Sequence, residues 1–137
     1  MAKGRLLSKK IGLNKSVNEL SCDTSRLAYT WTLPHLDRDG RIHGDPAVLK
    51  NIIFPRRTDI TTTDLEKYVA EWAENGLVIW YEADGDQWLE FPKFNENQPN
   101  LRYDREPEST IPPSENGRII TGRVPAECRQ SAGSSPR

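Results

Sequence analysis

The sequence predicts an α+β domain of three helices and a β-hairpin, followed by a disordered tail. Three observations carry this expectation. Apolar residues recur at helical spacing in three stretches before residue 77. Asp84-Gly85 then separates two β-rich runs, 77–82 and 87–91, which is a strong short-range hairpin signal. Finally, composition breaks at Asn95: Asn95-Glu96-Asn97-Gln98-Pro99-Asn100 is turn chemistry, and Pro107, Pro112, Pro113, Pro125 and Pro136 punctuate the rest of the chain.

Residues 1–15 read as a basic arm, with Lys3, Arg5, Lys9, Lys10 and Lys15 and no acid. Leu6, Leu7, Ile11 and Leu13 are its candidate anchors. The spacing predicts a first helix over 23–36, with Ser21 or Asp23 as cap. Its apolar stripe is Leu27, Trp31 and either Tyr29 or Ala28. Asp37-Arg38-Asp39-Gly40 is a tight turn, Gly40 suiting positive φ, and Arg41-Ile42-His43 comes next as a short strand. Asp45-Pro46 opens a second helix, since Asp caps free amides and Pro fits the first helical position. It carries Val48, Leu49, Ile52 and Ile53 and stops at Pro55. Thr61 or Thr63, each with an acid three residues on, begins the third helix in capping-box fashion. Leu65, Val69, Trp72 and Ala73 share one of its faces, and Asn75-Gly76 ends it. Helix, strand, helix, helix and hairpin is the winged-helix order, with the second and third helices as the helix-turn-helix and the hairpin as the wing. The domain spans 16–94.

Bulk properties bound the rest. With 137 residues there is room for one domain. Only 35% of the chain is apolar and 28% is charged, and a mean hydropathy of −0.74 is low for a packed globule. The tail accounts for the shortfall. Its six larger apolar side chains, Leu101, Tyr103, Ile111, Ile119, Ile120 and Val124, cannot offset an ordering cost of about 1–2 kcal/mol per residue. We therefore expect 95–137 to be mostly disordered, with a short docked piece at 101–103, and to act as a linker to a missing domain. Cys22 and Cys128 are far apart and the second lies in the tail, so no disulfide framework is expected. No apolar run approaches the roughly 18 residues of a membrane span and no signal peptide opens the chain. The expectation is a cytoplasmic protein with no membrane partner.

The residues Trp31, Pro34-His35, Asp37, Gly40-Arg41 and Gly44-Asp45-Pro46 form a distinctive series. They continue with Phe54-Pro55-Arg56, Glu71, Gly76-Leu77-Val78 and Tyr81, then Leu89, Phe91-Pro92, Phe94 and Gln98. Over residues 5–105 this pattern resembles the N-terminal domain of phage and prophage replication proteins of the replisome-organiser or DnaD-like kind. The resemblance implies a winged helix in a bacterial host cell that binds origin DNA or assembles with itself. It also implies a replicative helicase or its loader as partner of a further C-terminal part, expected to be missing here. One departure stands out: the third helix, in the place of the recognition helix, is acidic.

That helix offers Asp64, Glu66, Glu71 and Glu74 against Lys67, and the hairpin adds Glu82, Asp84, Asp86 and Glu90. With a net charge of −1, any DNA surface must come from segregated charge. Carboxylates pushed into a major groove meet phosphates on both sides, so the usual docking of this fold is unfavourable here. Cations gather elsewhere, and Lys9, Lys10, Lys15, Arg56, Arg57 and Lys67 are the candidate contacts to DNA, expected to be double-stranded. A basic arm and a basic loop are just as often solvated surface. The alternative is a protein-docking module that uses the acidic third helix and wing for self-association or partner capture. A repressor of the same fold ranks third.

No catalytic arrangement is visible. Residues 37–42 resemble the middle of an EF-hand loop, but His35 and Pro46 fall where the first and twelfth ligands belong. His35, His43 and Cys22 have no zinc spacing, and no Gly-rich phosphate loop or activated nucleophile is present. Neither an enzyme nor a cofactor is expected. Trp31 and Trp72 read as core, and Trp80 with Trp88 as a cross-strand pair. Single-strand stacking becomes relevant only where a tryptophan is exposed.

Overall fold

The structure is a computed structural model, and it describes residues 4–5, 7–94 and 108–121. It is an α+β fold of four α-helices and one antiparallel sheet of four strands in the order β1-β3-β2-β4. The helices are α1 (Lys15–Asn18), α2 (Asp23–Thr32), α3 (Pro46–Ile53) and α4 (Thr62–Glu74); the strands are β1 (Arg41–His43), β2 (Ile79–Ala83), β3 (Asp86–Glu90) and β4 (Arg118–Thr121). Among the described residues, no helix is long and apolar enough to cross a membrane.

The start signals of the second and third predicted helices have physical counterparts, whereas α2 begins after Cys22 with no side-chain cap from Ser21 or Asp23. The Asp45 side chain accepts from the Ala47 amide with Pro46 in the first turn. Thr61 and Asp64 close a reciprocal capping box on α4. The hairpin turn is Asp84-Gly85, at φ of 53° and 79°, the left-handed pair that a two-residue type I′ connection requires. The first helix is shorter than expected. Pro34 has no N–H to continue the ladder, so α2 stops at Thr32 and tightens into a 3₁₀ turn over Leu33–His35.

The core lies between the helices and one face of the sheet. Ser25, Ala28 and Thr32 form the buried face of α2, and their small side chains admit Trp72 from α4. The indole Nε1 of Trp72 donates to Ser25 Oγ at 3.1 Å, and its ring meets Tyr29 edge-on at 5.7 Å. Leu49, Ile53, Leu65, Val69, Trp80 and Leu89 belong to the same core. Trp31 is not part of it. The turn Asp37–Gly40 is held by the Asp37 carboxylate, which accepts from the amides of Asp39 and Arg41 and from the Ser109 hydroxyl. Gly40, at φ 76°, leaves space that a Cβ would take from Phe94.

The expected pairing of Trp80 with Trp88 does not occur. Trp80 lies opposite Leu89 and Trp88 opposite Tyr81, so alternation sends the two indoles to opposite faces. Trp80 is buried and donates to the Gly44 carbonyl, while Trp88 packs against His43 at 4.9 Å.

The tail expectation fails for 108–121. Residues Ser114–Asn116 form a 3₁₀ turn and Arg118–Thr121 add β4 to the free edge of β2. The physical reason lies in the groups this segment covers. The second face of the sheet carries Tyr81, fully buried, and an Arg41–Glu90 ion pair of 2.9 Å. Tyr81 donates to the Pro112 carbonyl at 2.7 Å, and Glu90 accepts from the Ser114 amide and hydroxyl. A Cβ on Gly117 would stand 2.7 Å from the Tyr81 ring, so glycine is what lets the segment close. Ordering therefore draws on an aromatic side chain and polar groups from the strands, not on the tail's own apolar content. The docked piece expected at 101–103 and Cys128 lie outside the described residues.

Candidate nucleic-acid interface

Helix α3 sets the geometry of one cationic surface. It ends at Ile53, and Phe54 caps it with a non-helical φ of −127° that turns the chain into Pro55-Arg56-Arg57. The Phe54 ring is 1% exposed because two side chains roof it. Trp31 comes from α2, its ring centroid 5.3 Å from that of Phe54 at 58°. The Arg57 guanidinium stands 5.8 Å above the same ring, at cation–π distance. Trp31 itself is 45% exposed, against the expectation that it is core. The small residues on the buried face of α2 leave no room there for an indole, so Trp31 sits on an adjacent side and covers Phe54 with part of its surface.

Arg57 is bidentate to Asp59 at 2.8 and 3.0 Å, and this hydrogen-bonded pair raises the guanidinium pKa. The same contacts hold the Asp59 carboxyl down to about 2, with the charges of Arg57 and Lys50 acting in the same sense. Lys50, Arg57 and Asp59 thus share one local field. Arg56 is exposed and in no ion pair among the described residues. Three cations stand against one acid around the end of α3, and one of them, Arg57, shares the Phe54 ring with the exposed indole.

The arm is a second basic group. Ser8 caps a 3₁₀ turn at Lys9–Leu13 and Asn14 caps α1, so Lys9, Lys10 and Lys15 are exposed on an ordered segment. Of its expected anchors, Ile11 packs against the core, Leu7 and Leu13 are exposed, and Leu6 lies outside the described residues. Arg5 is structural: its guanidinium donates to the Leu36 carbonyl and stacks on Phe94. Lys10 borders a cleft of about 170 Å³ whose walls include Tyr29 and Leu33. Burial pushes the Tyr29 phenol up to about 12. Trp31 is two residues from Tyr29, about 200° around a helix at 3.6 residues per turn, so Lys10 and Trp31 lie on different sides of α2. Among the described residues no hydrogen bond, ion pair or ring contact links the arm lysines to Arg56 and Arg57.

Lys67 is exposed on α4. Several acids that face it in sequence are committed elsewhere. Glu71 accepts from the Ser21 amide at 2.7 Å and from the hydroxyls of Ser21 and Ser25. Asp64 is in the capping box, Glu82 is paired with Arg118, and Glu90 with Arg41. Sequence reasoning leaves Lys50 out of the candidate site and misses the exposure of Trp31. The signal for the latter is Ser25, Ala28 and Thr32 at helical spacing, which looks like surface chemistry and is in fact the close-packed face. Comparison with protein-family models, curated proteins and solved structures finds no match to this chain.

Proposed function

We propose that the chain is a winged-helix DNA-binding domain of a phage-type replication initiation protein. In this reading α2, α3 and α4 are the three helices, β2 and β3 are the wing, and β1 pairs with β3 beneath it. The observation that carries the reading is the cationic end of α3 against that chain order: Lys50, Arg56 and Arg57, with only Asp59 opposing them. Lys9, Lys10, Lys15 and Lys67 add sequence-independent attraction to phosphates. The partners proposed with this reading are DNA, a second copy of the chain, and a replicative helicase or loader contacted through a further C-terminal part. The test is anisotropy of labelled duplex and single-stranded DNA across a salt series, repeated with Arg56→Glu/Arg57→Glu. The expected result is micromolar or tighter binding that weakens steeply with salt and collapses in the variant. Absence of binding at low salt sinks the reading.

A second reading is a protein-docking module working through α4 and the wing. It is favoured by β4, which occupies the free edge of β2 and packs against α4, so part of the surface a recognition helix and wing would present is already filled. Sedimentation equilibrium separates the two readings: self-association without DNA affinity supports this one.

A further inference from the structure

Among the described phenylalanine, tyrosine and tryptophan side chains only Trp31 is exposed, and it shares the Phe54 ring with Arg57. Its indole is not free to collapse. One part of the ring rests on Phe54, which is itself buried, and the backbone beneath belongs to a regular helix. A flat, pre-positioned π surface loses little entropy when a second ring is laid on it. Arg57 shares the Phe54 roof with it, and Arg56, exposed and in no ion pair among the described residues, precedes Arg57 in the segment that leaves α3. Lys50, in the last turn of α3, acts with Arg57 on Asp59.

An apolar protein segment would gain from the indole and lose from the cations around it. A nucleotide gains from both, through its base and its phosphodiester. Within a duplex, however, base faces are already stacked and only edges and phosphates are presented, so reaching a π face costs unstacking of a few kcal/mol. An unpaired base carries no such cost.

Resting on the DNA-binding reading above, we propose that Trp31 is a stacking platform for an unpaired base, with Arg56, Arg57 and Lys50 meeting the flanking phosphates. The domain then prefers single-stranded DNA, or a single-strand junction, over duplex.

The test uses the full chain, a labelled twenty-mer of deoxythymidine and a blunt hairpin duplex. Three variants are compared: Trp31→Leu, which keeps an apolar cover on Phe54 without a π face; Trp31→Phe, which restores a ring; and Arg56→Gln. A thermal melt of each variant checks the fold. The expected result is tighter binding of the twenty-mer than of the hairpin. Trp31→Leu weakens the twenty-mer by about 5- to 150-fold, the effect of one base–aromatic stack of roughly 1–3 kcal/mol, and leaves duplex affinity within about two-fold. Trp31→Phe recovers most of the loss, and Arg56→Gln lowers the salt slope by about one. Binding of the twenty-mer also quenches tryptophan fluorescence, and Trp31→Phe removes that quenching. If folded Trp31→Leu binds the twenty-mer as the unaltered chain does, or the chain prefers duplex, the stacking proposal is overturned while DNA binding stands. If neither DNA binds, the DNA reading falls with it.

Discussion

Replacing Glu90 with Gln asks whether the second face of the sheet is held by charge. The Glu90 carboxylate accepts from Arg41 Nε at 2.9 Å and from Ser114 N and Oγ at 3.3 and 2.8 Å. The Arg41 and Glu90 side chains are 17% and 16% exposed, so the pair is screened far less than a surface bridge. Burial opposes the charge of Arg41, yet the Glu90 hydrogen bond and charge outweigh it and the guanidinium pKa ends up raised. A guanidinium stays charged at neutral pH even without Glu90, so in the variant Arg41 is left with Asp39 at 3.5 Å as its remaining acid. Removing one partner of a fully buried pair costs about 3–5 kcal/mol. Residual exposure and Asp39 reduce that, and the amide oxygen keeps one acceptor for Ser114, so we expect about 2–3 kcal/mol. Urea unfolding followed by tryptophan fluorescence should show a lower midpoint at unchanged slope. The double replacement Arg41→Met/Glu90→Leu should cost less than the two singles together, by about 1–3 kcal/mol of coupling. A Glu90→Gln variant within about 0.5 kcal/mol of the parent, or strictly additive singles, would refute the reasoning.

Three further outcomes are expected. Thr61→Ala removes the capping box on α4 and should cost about 1 kcal/mol, read from the same urea transitions. Gly40→Ala forces a left-handed φ of 76° and drives a Cβ within 2.6 Å of Phe94 Cβ, so a loss above about 2 kcal/mol is expected, with a clear drop in melting temperature. Burial raises the Tyr29 phenol to about 12, above the ordinary value of 10.0. Its stabilising contribution is thus complete below about pH 10 and is lost as pH rises through 12. Burial raises Tyr81 as well, so ultraviolet titration at the tyrosinate band should show late-ionising tyrosines whose amplitude Tyr29→Phe reduces without abolishing, whereas titration of every tyrosine near pH 10 would contradict the burial argument.

The elements that local chemistry dictates are legible in the sequence: the capped starts of α3 and α4, the Asp84-Gly85 turn, and β1 after Gly40. Each depends on residues within a few positions of one another, and that is the range over which one sequence is informative. The features that escape it depend on distant partners. The segment 108–121 has little apolar content, and it is ordered because Tyr81, Glu90 and Asp37 present it with a buried ring and acceptors. Nothing in the segment itself announces that. Trp31 is misplaced for a related reason. Apolar periodicity ranks faces by hydrophobicity, whereas close packing against Trp72 selects the face with the smallest side chains, Ser25 and Ala28.

The candidate site turns on the same distinction between a residue's charge and its commitments. In sequence, α4 and the hairpin look uniformly repellent to a polyanion. In the fold, Glu82 and Glu90 are neutralised locally by Arg118 and Arg41, and Asp64 serves the helix cap. Glu71 differs from these. Its donors are an amide and two hydroxyls, so its full negative charge persists beside Lys67, and Glu66 is exposed one residue before that lysine. The α4 face stays unfavourable to phosphate even with its paired acids set aside. At the end of α3 the balance is the reverse: Asp59 offsets one of three cations, and Arg56 and Lys50 are left over. Under the proposed reading, any DNA held by this domain should therefore lie along the α2–α3 face at Trp31 and not across α4. A charge reversal at Arg56 should then weaken binding far more than one at Lys67, and equal effects at the two positions would return α4 to the interface.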